Sequence, residues 1–195
     1  MNKKSVYLRA FEPDDYKLIS VWRNDPNMQD LTSGTYRHIS SLREKDWVLN
    51  KINDNVNDIY WAICVNDETK KMIGYTSVNN IDFVHRKADH GGIIIGDVDY
   101  RDGFSLIDTI ILTLDYVFME LNINRIEALC LSKHKTSIKM LKMMGYSLEG
   151  LKRQSKYKHG EYNDQYVYSI LKSEYKKLSQ EGNYSKNKII KRLRN

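Results

Sequence analysis

Apolar positions along this chain change their period several times, and each change marks an element. Tyr7 to Phe11 reads as an opening strand, closed by Glu12-Pro13-Asp14-Asp15. Pro13 beside acidic residues suits a first helical turn. Leu18, Ile19 and Trp22 then follow at helical spacing until Asn24-Asp25-Pro26 stops the helix. Residues 27–40 read as irregular. Ser40 or Ser41 caps a second helix carrying Leu42, Trp47, Val48 and Ile52. Two apolar runs, Ile59–Val65 and Met72–Val78, read as strands joined by the turn Asn66-Asp67-Glu68-Thr69. Residues 88–97 predict a further strand. Residues 104–121 predict a long helix, with Ile107, Ile110, Ile111, Leu114, Phe118 and Leu121 on one stripe. Arg125–Leu131 is a strand, and residues 135–144 form a short helix that Gly145 ends. Tyr146–Leu151 and Tyr162–Leu171 are the last strands. Strands and helices mix without strict alternation, which predicts a mixed α/β sheet and not a doubly wound fold.

At 195 residues the chain suits one domain with a real core. A hydrophobic content of 41% places it among globular proteins. No apolar run reaches the roughly 20 residues of a membrane span. Met1-Asn2-Lys3-Lys4-Ser5 leads into no signal-peptide core. A cytoplasmic protein without membrane partners is the expectation. The net charge of +6 suggests a nucleic-acid partner until it is located. From Lys172 onward eight basic residues face only Glu174 and Glu181, so this end holds the whole excess. The expected division is a folded domain over 1–175 and a solvated, partly frayed basic tail over 176–195; nucleic acid is disfavoured. Cys64 and Cys130 have apolar neighbours and neither a CxxC motif nor paired histidines. Buried free thiols are expected, and no metal.

The candidate chemistry begins where residues 92–105, Gly-Ile-Ile-Ile-Gly-Asp-Val-Asp-Tyr-Arg-Asp-Gly-Phe-Ser, run from strand through a glycine-bearing turn into a helix. Such a turn aims backbone N–H groups at an anion. It is neither GxxxxGK[ST] nor GxGxxG, which disfavours nucleotide hydrolysis and dinucleotide binding. Tyr100-Arg101-Asp102-Gly103-Phe104-Ser105 resembles the acetyl-CoA loop of GNAT-type N-acetyltransferases. Ser137-Ile138, Gly145-Tyr146 and Leu148-Glu149-Gly150 resemble that family's later motifs, and Tyr168-Ser169-Ile170-Leu171 its closing strand. The likeness runs from Tyr7 to about Tyr175 and is nearest to the ribosomal-protein and spermidine acetyltransferase branch.

The resemblance implies a GNAT fold: a central, mostly antiparallel twisted sheet, splayed between its fourth and fifth strands, with helices on both faces. It implies acetyl-CoA as co-substrate. Backbone groups of Ile93, Ile94 and Ile95 would hold the pantetheine and thioester. Tyr100, Arg101, Asp102, Gly103, Phe104, Ser105 and Leu106 would surround the pyrophosphate, with His134 and Ser137 also at the cofactor. An amine would attack the thioester directly, which calls for a base, an oxyanion site and a proton for the thiolate. His90 stands where many members keep a glutamate, and its imidazole ordinarily titrates near neutrality. Four positions depart from the pattern: Tyr100, Ser105, His134 and Leu141, the last where the family commonly places a proton-donating tyrosine. Tyr146, His134 or water would then serve. Trp22 and Tyr36 stand in the region that walls the acceptor site, where core or lid packing competes with substrate contact. Trp22-Arg23-Asn24 resembles nucleotide-amino-sugar acetyltransferases, and a wall with Arg37 and His38 suits an acceptor carrying phosphate or carboxylate. The implied activity is acetyl-CoA-dependent N-acetylation of a primary amine on a polyamine, an amino sugar or a protein N-terminus. A non-catalytic acyl-CoA-binding or interaction protein is the alternative. The oligomeric state stays open, with a homodimer or higher homo-oligomer among the options.

Overall fold

The computed structural model describes residues 5–35, 37–101 and 103–194. In chain order the elements are β1 (Val6–Ala10), α1 (Tyr16–Asn24), α2 (Pro26–Leu31), α3 (Ser41–Asn53), β2 (Ile59–Val65), β3 (Met72–Asp82), β4 (Lys87–His90) and β5 (Ile94–Ile95). They continue with α4 (Phe104–Asp115), β6 (Arg125–Leu131), α5 (Lys135–Met143), β7 (Ser147–Lys158), β8 (Glu161–Leu171), α6 (Lys172–Gln180) and α7 (Lys186–Arg194). The chain folds into two compact units. One holds residues up to Ile81 together with His90–Thr113, the other Asp82–Asp89 with Leu114 onward.

In the first unit β1, β2, β3 and β5 pair in that order, all antiparallel. Successive side chains of β2 point to opposite faces, and both faces are covered. Ala62 and Cys64 join Phe11, Ile19, Trp22 and Val48 in a cluster under α1 and α3. Ile63 and Val65 join Val6, Ile73 and Ile95, with Leu106 and Leu112 of α4 packed against them. Burial on both faces explains why β2 is an unbroken apolar run. Ser5 donates from its N–H and its hydroxyl to Asp108 Oδ2 (2.6 and 2.8 Å), tying the start of β1 to α4.

Residues 27–40 and 88–97 fold differently from the expectation. Residues 27–40 are not wholly irregular, because Asp25 accepts the Asn27 N–H (2.9 Å) as an N-cap and Pro26 opens α2. The strand expected over 88–97 is two short ones. Lys87–Asp89 pairs in parallel with Arg125–Glu127 of β6, whereas Ile94–Ile95 pairs with Gly74 and Tyr75 of β3. The ladder with β6 thus ends at Asp89, and Gly91-Gly92 marks the change of partner.

In the second unit the strand order is β4, β6, β8, β7, antiparallel from β6 onward. Its buried residues include Phe118, Ile126, Met144, Tyr146, Tyr168, Ile170 and Tyr175. Arg125 in β6 forms a two-pronged pair with Glu149 in β7, and Ser169 of the intervening β8 also donates to that carboxylate (2.7 Å). Those bonds hold the Glu149 carboxyl down at about 2. The frayed tail is corrected as well: α6 and α7 are formed, and Tyr175 and Ile189 are buried. No helix among the described residues is long and apolar enough to cross a membrane. Both cysteines are buried and free.

Candidate active site

A cavity of about 430 Å³ opens within the first unit. Trp22 and Arg23 of α1, Met28 and Gln29 of α2, and Trp47 of α3 form one side. Tyr60 of β2, Tyr75 and Ser77 of β3, and Gly92 and Ile94 form the other, with Arg37 and Ile39 at the rim. The tripeptide Trp22-Arg23-Asn24 divides its work by direction. Trp22 is nine-tenths buried and lies flat on Gly96, where an added Cβ would meet the indole at 2.1 Å. Core packing and cavity wall are therefore the same role for Trp22. Asn24 clamps the rim: its Nδ2 donates to the Ile39 carbonyl (2.9 Å) and its Oδ1 accepts the Ile39 N–H (2.8 Å). Gln29 does the same for Arg37, donating to its carbonyl (3.0 Å) and accepting its N–H (3.1 Å).

Arg23 lies over the Trp47 ring, 4.6 Å from its centroid, and donates from Nη1 to Glu44 Oε1 at 2.7 Å. Glu44 is fully buried, and its Oε2 has no hydrogen-bond partner among the described residues. Burial raises its carboxyl pKa, and Arg23 acts in the opposite direction. Neither Glu44 nor the aromatic set Trp47, Tyr60 and Tyr75 figured among the residues expected at the site. A usable signal was the i,i+3 placement of Glu44 and Trp47 on one helical face.

His90 ends β4 and does not line the cavity, although Gly92 and Ile94 do. Burial pushes its imidazolium down to about 4, so it is neutral at pH 7 and does not titrate near neutrality. Tyr36 and Asp102 lie outside the described residues.

The segment expected at the cofactor belongs to the same unit. Ile93, Ile95, Tyr100 and Leu106 pack in one cluster. Arg101 turns back on its own loop, donating from Nε to the Ile95 carbonyl (3.0 Å) and from Nη2 to the Gly96 carbonyl (3.1 Å). Tyr100 lies beneath the Lys71 ammonium (5.7 Å), which also pairs with Asp97 (2.6 Å). Gly103 has φ +84°, a region that suits glycine, and an added Cβ would meet nothing within 4 Å. Ile107 N–H donates to the Gly103 carbonyl, so Gly103 caps α4 and Phe104–Leu106 form its first turn, with Ser105 buried. An open, dipole-positive turn of this kind fits a pyrophosphate.

His134 and Ser137 are in the second unit, where His134 Nδ1 caps α5 by accepting the Ser137 N–H at 3.0 Å. Leu141 is half-buried in α5, and Tyr146 is a core residue whose hydroxyl burial pushes well above its ordinary pKa. Among the described residues no group of three or more His, Cys, Asp or Glu is placed to hold a metal.

Comparison with known proteins bears on this geometry. The family described as an acetyltransferase (GNAT) domain matches residues 5–147. An uncharacterised N-acetyltransferase of Bacillus licheniformis, p20, is 30% identical over 86% of this chain and 93% of its own. A spermidine N(1)-acetyltransferase of Vibrio cholerae is 28% identical over 86% of this chain and 94% of its own. A crystal structure of spermidine N-acetyltransferase from Vibrio cholerae, in complex with CoA and spermine, superposes with a TM-score of 0.78. It covers 88% of this chain and 98% of its own, at 24% identity.

Proposed function

The chain belongs to the GNAT family of acetyltransferases, and from that premise we propose that it moves an acetyl group from acetyl-CoA to a primary amine held in the first unit's cavity. One observation carries this reading. The aromatic cavity is walled by Gly92 and Ile94, and the same chain segment runs on to the glycine-capped start of α4. This supports a reading in which an acceptor and a pyrophosphate lie at the two ends of a single stretch of backbone.

In this reading the N–H groups of the first α4 turn hold the pyrophosphate, with Gly103 leaving the approach clear. The side chain of Arg101 braces the loop through the Ile95 and Gly96 carbonyls, so anion binding falls mainly to the backbone. Backbone groups of Ile93–Ile95 align the pantetheine arm and the thioester. The neutral amine attacks the thioester carbon, the C–S bond breaks, and CoA leaves as thiolate. His90 does not line the cavity, so in this reading its neutral imidazole takes the ammonium proton through a water relay, and its low basicity keeps that step slow. Leu141 cannot donate a proton, so water returns one to the thiolate.

The test is thiol release from acetyl-CoA against a panel of amines, for the wild type and His90→Ala. Amine-dependent release, reduced on the order of 10²-fold in His90→Ala, is the expected result. Acetyl-CoA binding without release from any amine would replace this reading with that of a non-catalytic acyl-CoA-binding protein. An unchanged rate in His90→Ala would remove the histidine from the mechanism.

A further inference from the structure

The charges around the cavity have a consistent sign. Arg23 and Arg37 line it, and among the described residues no aspartate or glutamate does. Glu44 is buried beneath and engages only Nη1 of Arg23. The remaining donors of Arg23, Nε and Nη2, make no hydrogen bond among the described residues, and neither does the Arg37 guanidinium. One carboxylate thus stands against two guanidiniums, leaving a surplus positive charge. The head group of Arg23 and the main chain at Arg37 are held in place. Trp47 and Glu44 fix the Arg23 head group, and the two bonds from Gln29 fix the main chain at Arg37. A preorganised Arg23 fork over an aromatic floor, with the exposed Arg37 guanidinium beside it, matches planar or tetrahedral oxyanions. The ammonium groups of a polyamine would meet like charge with no carboxylate to receive them.

Resting on the acetyltransferase reading above, we infer that the acceptor amine carries an anionic group, carboxylate or phosphate, which Arg23 and Arg37 hold while the amine faces Gly92 and Ile94. Substrate choice here then runs opposite to that of a polyamine site. The aromatic side chains, Trp22, Trp47, Tyr60 and Tyr75, pack against the body of the acceptor, and the arginines select its charged end.

The experiment compares matched acceptors at equal concentration: glucosamine with glucosamine 6-phosphate, β-alaninamide with β-alanine, and spermidine as the cationic case. Thiol release should favour one anionic member over its neutral partner at least tenfold in kcat/KM, and the pair that responds tells phosphate from carboxylate. Arg37→Gln should raise KM for that acceptor at least tenfold and erase the preference, and Arg37→Lys should restore part of it. Spermidine matching or exceeding the anionic acceptors would overturn the inference, as would a preference untouched by Arg37→Gln. A second readout needs no turnover: quenching of tryptophan fluorescence by glucosamine 6-phosphate or β-alanine, in wild type and Arg37→Gln. Binding that depends on Arg37, with no release from any amine, sinks the acetyltransferase reading and upholds the anion site. No anion binding together with release from neutral amines does the reverse. Neither binding nor release overturns both.

Discussion

A histidine that burial keeps neutral leaves a mark on stability as well as on chemistry. The ordinary imidazole pKa is about 6.5, and in the folded chain that of His90 lies at about 4. Between those values the unfolded state binds a proton that the folded state refuses. The His90 contribution to stability is therefore complete above pH 6.5 and is lost as pH falls toward 4. Lowering the pH from 7 to 5 should cost about 2 kcal/mol from this group alone, read from urea midpoints at the two values. His90→Gln should remove most of that slope, and a variant with the wild-type slope would mean that the imidazole is solvated. At this scale the sequence was legible in part. Trp22 was visible as a wall residue because a Trp-Arg-Asn tripeptide is a local pattern. Glu44 was not, since a glutamate in the first turn of a helix reads as a favourable surface charge. Only the packing of α1 on α3 makes it a buried one. The low basicity of His90 was hidden for the same reason, because desolvation is a property of the fold around a side chain.

Helices α1 and α3 are joined by the Arg23–Glu44 pair, and its energetics follow from Glu44 being fully buried. Removing the guanidinium leaves a carboxylate without its counter-charge in a site that water does not reach. Arg23→Gln should therefore lose about 3–5 kcal/mol, measured by chemical denaturation at pH 7. Adding Glu44→Gln should recover a large part, because both charges are then gone. A double variant no more stable than Arg23→Gln would mean that the helices are held by packing alone. The elements themselves were legible where one pattern dominated: β2 as an unbroken apolar run, β6 by alternation and α3 by helical spacing fall where expected. The misses share a cause, which is a structure set by something other than hydrophobic period. α2 is started by the Asp25 cap and Pro26, and Pro26 was read as a stop. The change of partner at Gly91-Gly92 is tertiary, since Ile93–Ile95 is as apolar as any strand. Residues 152–158 extend β7 by pairing with β8 although they are almost wholly exposed, and their lysines suit the outer edge of the sheet.

Over the whole chain, the surplus positive charge sits in the last 24 residues, and part of it is turned inward. Arg192 donates from Nη1 to the Met143 carbonyl (2.7 Å), and the Tyr184 hydroxyl donates to the Met144 carbonyl (3.0 Å). Both acceptors are among the carbonyls that α5 leaves without helical partners at its C-terminus, the end where a cation is favoured. Tyr184 also stacks on Tyr175, 5.1 Å between centroids, which in turn packs on Phe118 and donates to Asp115. Charge composition alone could not separate this from a solvated tail, because the same lysines and arginines serve both. The distinction is measurable. Deleting residues 181–195 removes two caps of α5 and the buried Ile189, which should cost the second unit about 3 kcal/mol. A lower urea midpoint by far-ultraviolet circular dichroism is the expected outcome. Under hydrogen exchange, faster amides should be confined to α5, α6 and the β8 side of that unit. An unchanged midpoint would mean that the segment is a passenger, and its charge would again need a partner outside the chain.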